Sequence, residues 1–410
     1  TSKPLAAMVS QGIVAGSSLL LQVVASRRGA EGLGRFSLLV GVLITLNSVA
    51  SGWIGDSLTV LDRFELGIRR ALFHYQALAL VIAFGVGFGV GGIVDGVDRG
   101  TALWFGAACA LWGLEETGRR LLIARRQFWS LVINDASYAL GSFGYVFTVI
   151  GIGATITVRH LVIALAVGAL TAIVVAFGQL PDRELALPLS VPAKWRQVAS
   201  FAVWRSAQVG LRPGALAAAR GVVSLVGGVA AVGQLEGARL VVAPVLTLAN
   251  GAGVYLLPTY THAVRERRPF RPRVPLAMGL LAVVCAVYGA LAVVFIDPLT
   301  KLLTDGTYQV STAAVIAWAA FAGGFAAGIP AGNAVVAQGR SRLAFWFRSV
   351  DAFVGVAAAS AFAVAHVYRL VPAGLAAGTA VGAVLLLGAI RRSTKADAAA
   401  AAVPSHEALA

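Results

Sequence analysis

The sequence predicts an all-α integral membrane protein: about twelve transmembrane helices in two six-helix bundles related by pseudo-two-fold symmetry. Three observations lead there. Of 410 residues, 58% are hydrophobic and only 12% charged, against roughly a quarter charged in an ordinary soluble domain. Charge-free windows such as 6–26 and 310–338 recur along the chain, and about 20 apolar residues suffice to cross the hydrocarbon core. The basic residues, finally, crowd into alternate connections between these windows.

Hydropathy places helices near 5–26, 34–56, 70–94, 101–122, 128–153, 159–179, 197–223, 230–259, 275–297, 309–337, 343–366 and 371–390. The first window ends in Arg27 and Arg28 without a small-residue cleavage site, so it reads as a spanning helix rather than a removable signal. The longest polar connection, 181–196, holds Pro181, Pro188 and Pro192 and serves as a cytoplasmic linker. It separates an N-terminal six-helix bundle, 1–180, from a C-terminal one, 197–392. The Ala-rich stretch 393–410 reads as a disordered cytoplasmic tail. Pro213, Pro244 and Pro330 fall within spans and should kink them, since each lacks an amide hydrogen.

Twenty-one of the 33 basic residues lie at the N-terminus or after even-numbered helices, and eight after odd-numbered ones. The first set includes Arg119, Arg120, Arg125, Arg126 and the run from Arg265 to Arg273; the second includes Arg35, Arg99 and Arg220. By the positive-inside rule both termini are cytoplasmic in a multi-pass plasma-membrane protein. The same rule accounts for the net charge of +15, so no nucleic-acid partner is implied. Cys109 and Cys285 sit in apolar windows and the five histidines are scattered, so the sequence offers neither a metal site nor a cofactor motif. No connection is long enough to fold as a catalytic domain, and the chain does not read as an enzyme.

The halves echo each other. Gly34-Arg-Phe-Ser-Leu-Leu-Val opens an apolar run containing Asn47; about 200 residues on, Gly233-Gln-Leu-Glu-Gly-Ala-Arg opens another containing Asn250. Gly118 to Arg126 likewise echoes Gly332 to Arg340, each ending a helix in a basic turn. Six plus six helices with both ends on one side makes these parallel repeats.

The remaining four basic residues, Arg205, Arg212, Arg239 and Arg348, fall inside spans. A central Arg costs about 2.5–3.5 kcal/mol on insertion scales, so such residues face a watery cavity or a partner. Arg205 and Arg212 are seven apart on one helical face with no acid within four residues. Arg239 is expected at a depth comparable to Arg212. Together they suit an anionic head group, because guanidinium grips phosphate oxygens bidentately. The competing reading is structural pairing, with Glu236 beside Arg239. Arg348 with Asp351, Glu115 with Arg119 and Glu116 with Arg120 have helical pair spacing and read as structural. Asp135 suits a coupling proton or cation, or a pair to a neighbouring helix.

Two helix entries and one turn resemble the multidrug/oligosaccharidyl-lipid/polysaccharide exporter (MOP) superfamily, and within it the polysaccharide flippases of O-antigen and teichoic-acid type. The entries are Arg27-Arg-Gly-Ala-Glu-Gly-Leu-Gly-Arg-Phe36 and Val232-Gly-Gln-Leu-Glu-Gly-Ala-Arg-Leu240, the latter followed by Leu256-Leu-Pro258; the turn is Arg120 to Phe128. Leu235 stands where the family usually has an aromatic, and Arg212 near where such flippases often carry an acid. The resemblance implies two bundles that rock between inward- and outward-open states. It implies a polyprenyl-diphosphate-linked glycan as passenger, moved from the cytoplasmic to the outer leaflet for cell-envelope polysaccharide biosynthesis. Membrane lipids and glycan-assembly enzymes are the implied partners.

Two other functions fit parts of the pattern. A drug or solute exporter would share the architecture, although arginines without free acids suit an organic cation poorly. A membrane glycosyltransferase or polymerase needs acids on a sizeable outer loop, whereas Glu31, Asp95 and Asp98 lie on short turns.

Overall fold

The computed structural model describes residues 2–181, 184, 190–266 and 273–401. Residues 182, 183 and 185–189 of the 181–196 linker (Arg183 among them), Arg267, Arg268, Arg271 and residues 402–410 of the expected tail lie outside the described residues. The described chain is helical throughout. The helices are α1 Ser2–Ser26; α2 Gly29–Ala50, continued through a π-turn at Ser51–Gly55 and by Asp56–Val60; α3 Leu66–Ile93; α4 Arg99–Ala124; α5 Phe128–Gly151; and α6 Val158–Gln179. Then come α7 and α8, residues 195–227 and 229–265, meeting at Gly228 (φ 77°, ψ 174°). α9 Arg273–Val294, α10 Thr312–Ala337, α11 Ser341–Val364 and α12 Val371–Ala401 complete the order.

Nine stretches among the described residues are long and apolar enough to cross a membrane, one of them the α7–α8 pair. α4 and α5, which hold the buried Glu115, Glu116, Asn134 and Asp135, are not among the nine. The chain is therefore a multi-pass membrane protein. Pro213 and Pro244 sit in helical backbone, the break between α7 and α8 falling at Gly228 instead, and α10 runs through Pro330. A short amphipathic helix, Ile296–Thr304, follows α9 and has no counterpart in the hydropathy pattern. Alanine, the best helix former, carries α12 on to Ala401.

The helix ends explain the internal echo. Among the described residues, left-handed backbone occurs at Gly29 and Gly228, at Gly96 and Gly306, at Arg126 and Gly339, and at Gly153 and His366; Asp305 is the one left over. Each pair marks the same junction in the two halves. α4 ends with Arg126 N–H donating to Ile123 O and Gln127 N–H to Leu122 O, and α10 ends identically with Gly339 to Val336 and Arg340 to Val335. The ends of α5 and α11 repeat this double bond at Gly153 and His366. This is the Schellman closure, in which a left-handed residue satisfies the last carbonyls. The structural register, 126 to 339, differs by one residue from the 126-to-340 alignment of the sequence echo.

The chain forms two compact units, Thr1–Leu240 with Thr300–Gln309, and Val241–Leu299 with Val310–Ala410. The first packs around Leu21, Leu33, Phe36, Phe105, Leu161 and Leu240. The second packs around Val335, Leu386 and Ile390, with Tyr260 against them.

Candidate functional site: an ion network reaching the arginines of α7

α2 and α7 lie antiparallel in the first unit. Gly52 faces Ser206, Gly210 faces Val49, Gly214 faces Thr45, and Arg220 lies over Gly41. Small residues along this seam let the two backbones approach closely. Successive helical residues turn by about 100°, so Arg205 and Arg212 stand on the flank of that seam rather than in it. Arg205 keeps 46% of its side chain exposed, and Arg212 is half-buried.

The π-turn widens α2 just before Asp56, and π-bulges often serve to place functional groups. Asp56 takes the Arg205 Nε–H on Oδ2, while Oδ1 lies 3.3 Å from Arg120 Nη1. Arg205 also donates to Gln208 Oε1 at 3.3 Å. From Arg120 the contacts continue inward. Arg120 Nε is 2.7 Å from Glu116 Oε1, and Arg119 Nη1 is 2.8 Å from Glu116 Oε2. Arg119 Nε is 2.7 Å from Asp135 Oδ1 and 3.6 Å from Glu115 Oε1. Ser10 of α1 donates to Asp135 Oδ2 at 2.5 Å, and Asn134 Nδ2 donates to Glu115 Oε1 at 3.1 Å. The Asn134 Oδ1 acceptor is buried with no partner among the described residues.

This chain of contacts joins α1, α2, α4, α5 and α7. It sets four carboxylates, at Asp56, Glu115, Glu116 and Asp135, against three guanidiniums, at Arg119, Arg120 and Arg205. The network thus carries one acid more than it has cations. Glu115, Glu116 and Asp135 are all buried, and a buried charge needs pairing.

A second cluster closes the other end of α7. Glu236 is fully buried and lies 2.8 Å from Arg220 Nε and 2.5 Å from Arg239 Nε. Arg239 donates in addition to Gln22 Oε1 of α1. Arg239 therefore comes level with Arg220, not with Arg212 as its distance from the expected helix start suggested. The reason is Gly228: α7 runs on past 223, so Arg220 lies well inside a helix rather than in a connection. The three arginines singled out from the sequence do not converge at one depth. They mark successive levels along α7, with Arg205 and Arg212 about 10 Å apart by helical rise.

In the second unit the register of the Schellman turns sets Arg348 where Asp135 stands, and Gly332 where Arg119 stands. The Arg348 guanidinium lies over Gly332, its Nη2 3.2 Å from the position a Cβ would take. Asp351 packs against Gly382. The cation that α4 supplies in one half is thus supplied by the following helix in the other.

Sequence reasoning missed Asp56 and Ser10. Asp56 had a signal, as a lone acid at the end of an apolar run; a serine hydroxyl in an apolar window has none.

No family model matches the chain, and no curated protein matches it by sequence. Solved structures do match. A multidrug resistance MATE family transporter of the MOP superfamily, inward-facing, aligns with a TM-score of 0.68 at 16% identity, covering 95% of this chain and 98% of that one. The lipid II flippase MurJ, in an inward closed conformation, aligns with a TM-score of 0.74 at 10% identity, covering 95% and 87%. A MOP superfamily transporter from Pyrococcus furiosus, whose reverse polarity of binding pocket is said to suggest a different function, aligns with a TM-score of 0.59 at 13% identity, covering 96% and 94%. The fold is that of the MOP superfamily transporters, as the helix-entry motifs indicated.

Proposed function

We propose that this chain is a MOP-type transporter that moves a polyprenyl-diphosphate-linked oligosaccharide from the cytoplasmic to the outer leaflet by alternating access, with both termini cytoplasmic. The observation that carries this reading is the polarity of α7. Arg205 and Arg212 stand on one flank of the helix, and Arg205 keeps 46% of its side chain exposed although Asp56 holds it. An acidic head group matches these residues; an organic cation does not. Arg239, clasped by Glu236, contributes field at the far end.

The ion network supplies a route for coupling. When Arg205 leaves Asp56 for a phosphate, the network loses one of three cations and its excess of carboxylate grows. A buried carboxylate without its cation takes up a proton, because burial disfavours the charged form. Passenger binding and proton uptake then favour each other, as linkage requires. We assign this uptake to the network as a whole rather than to Asp135 alone, since Arg119 and Ser10 already satisfy Asp135. Arg348 and Asp351 are assigned a structural role in the second unit.

The test is translocation by the purified chain in proteoliposomes, using a fluorescent polyprenyl-diphosphate sugar alongside a cationic dye. Movement of the lipid-linked sugar supports the proposal. Movement of the dye alone would make the chain a drug exporter, as the MATE-type neighbour's description allows.

A further inference from the structure

A lateral cleft in the first unit suits a ligand that the proposed transport does not involve. α3 and α6 each pack along α4 but not along each other, which leaves a gap of about 520 Å³ with α4 as its floor. That lies within the ~300–1,000 Å³ of small-molecule sites. Phe73 of α3 and Phe177 of α6 flank it, 42% and 50% exposed, on outer faces that also present Val81 and Val174. The cleft therefore opens toward the surrounding hydrocarbon. Its few polar groups answer one another: Thr117 Oγ1 lies 2.7 Å from Gln76 Oε1, to which it donates, and 3.0 Å from Gly113 O.

The mouth is basic. Glu184 lies 3.4 Å from Arg63 and 3.3 Å from Arg125, one carboxylate between two guanidiniums. Arg69 lines the same mouth, and its Nη2 is buried with no hydrogen-bond partner among the described residues. A buried donor of this kind has lost its water without gaining a partner, a deficit that a bound anion removes. Trp195 stacks on His74 at this end of α3, and aromatic residues of this type sit at the head-group level of a bilayer.

We propose that the cleft between α3 and α6 holds one anionic bilayer phospholipid, its acyl chain along α4 and its phosphate on Arg69. The apolar groove selects a chain and the cationic rim selects the charge. Neither the α7 arginines nor the transport proposal enters this argument.

The experiment is native mass spectrometry of the delipidated full-length chain with phosphatidylglycerol or phosphatidylcholine added. The wild type should retain phosphatidylglycerol in preference. Arg69→Gln should weaken phosphatidylglycerol binding about tenfold, the factor carried by one charge-assisted hydrogen bond, and narrow the preference over phosphatidylcholine. Ala77→Trp fills the cleft from an exposed position and should abolish retention of both lipids at an unaltered thermal midpoint. Arg196→Gln, an exposed change at the same end of the molecule, should have no effect. Equal retention of the two lipids, or equal weakening by Arg69→Gln and Arg196→Gln, would overturn the proposal. So would displacement of the lipid by inorganic phosphate, or by an equal amount of polyprenyl phosphate, which would make the occupant a free anion or the carrier lipid.

Discussion

Gly34 and Gly233 occupy reciprocal places where the entries of α2 and α8 cross. A Cβ on Gly34 would lie 2.0 Å from the carbonyl oxygen of Val229, and a Cβ on Gly233 would lie 1.6 Å from that of Ala30. The step from 34 to 233 equals the step from 30 to 229, so one contact maps onto the other by the same displacement along the chain. The duplication is therefore built into a contact that only glycine permits, which is why both helix-entry motifs place a glycine there.

Gly34→Ala and Gly233→Ala should each be severely destabilising. Overpacking of this kind costs typically 1–3 kcal/mol or more, and here the obstructing atoms are backbone. Gly12 and Gly16, on α1, have nothing within 4 Å of a Cβ, and alanine there should gain about 0.5–1 kcal/mol of helix propensity. Thermal unfolding of the four variants in detergent checks the contrast. Equal midpoints for Gly34→Ala and Gly12→Ala would contradict the crossing geometry.

Glu236→Gln should lower stability by about 3–5 kcal/mol, the cost of breaking a buried ion pair from one side. The change leaves Arg220 and Arg239 facing one neutral amide. A midpoint within a degree or so of wild type would show that water or lipid phosphate already neutralises these arginines.

Much of this architecture is legible in the sequence. Twelve hydrophobic windows and the alternation of basic turns give the helices, because the bilayer imposes length and apolarity on each one. Charge partners are less legible. Glu236 with Arg239 is visible as i, i+3, but Arg220 with Glu236 and Arg205 with Asp56 join different helices, and no spacing rule reaches across a bundle. Arg220 was hidden further by the position of the α7–α8 break, since Gly228 and not a polar loop ends α7. The short helix Ile296–Thr304 escaped because it has only nine residues and Asp297 and Lys301 interrupt the hydropathy.

Asp98 gives a pH dependence at the α3–α4 connection. The Thr101 hydroxyl and the amides of Gly100 and Thr101 bind its carboxylate at the start of α4 and hold its pKa below the usual carboxylate range. A depressed folded-state pKa contributes stability that is present above the unfolded value, near 3.9, and lost as pH falls through the folded value. Asp98→Ala should cost about 0.5–2 kcal/mol at neutral pH, as loss of an N-cap does, with a difference from wild type that shrinks in strong acid. Unfolding followed by circular dichroism from pH 7 to pH 2 measures it, and a difference that grows toward low pH would reverse the assigned sign.

Asp56→Asn tests the hold on Arg205. With the competing carboxylate gone, a soluble diphosphate head-group analogue should bind about tenfold more tightly, the equivalent of one charge-assisted hydrogen bond. Proton uptake on binding should fall at the same time, because Asp56 is no longer exposed when Arg205 moves. Calorimetry in buffers of different ionisation enthalpy reads both quantities. Unchanged affinity together with unchanged proton uptake would separate Asp56 from the passenger site.

The most direct measurement is leaflet-to-leaflet movement of a polyprenyl-diphosphate-linked oligosaccharide in proteoliposomes containing the wild type or the Arg205→Ala, Arg212→Ala double variant. The wild type should translocate the lipid-linked sugar, and the double variant should fold, insert and leave it in its original leaflet. Equal translocation by both would contradict the role assigned to the α7 arginines.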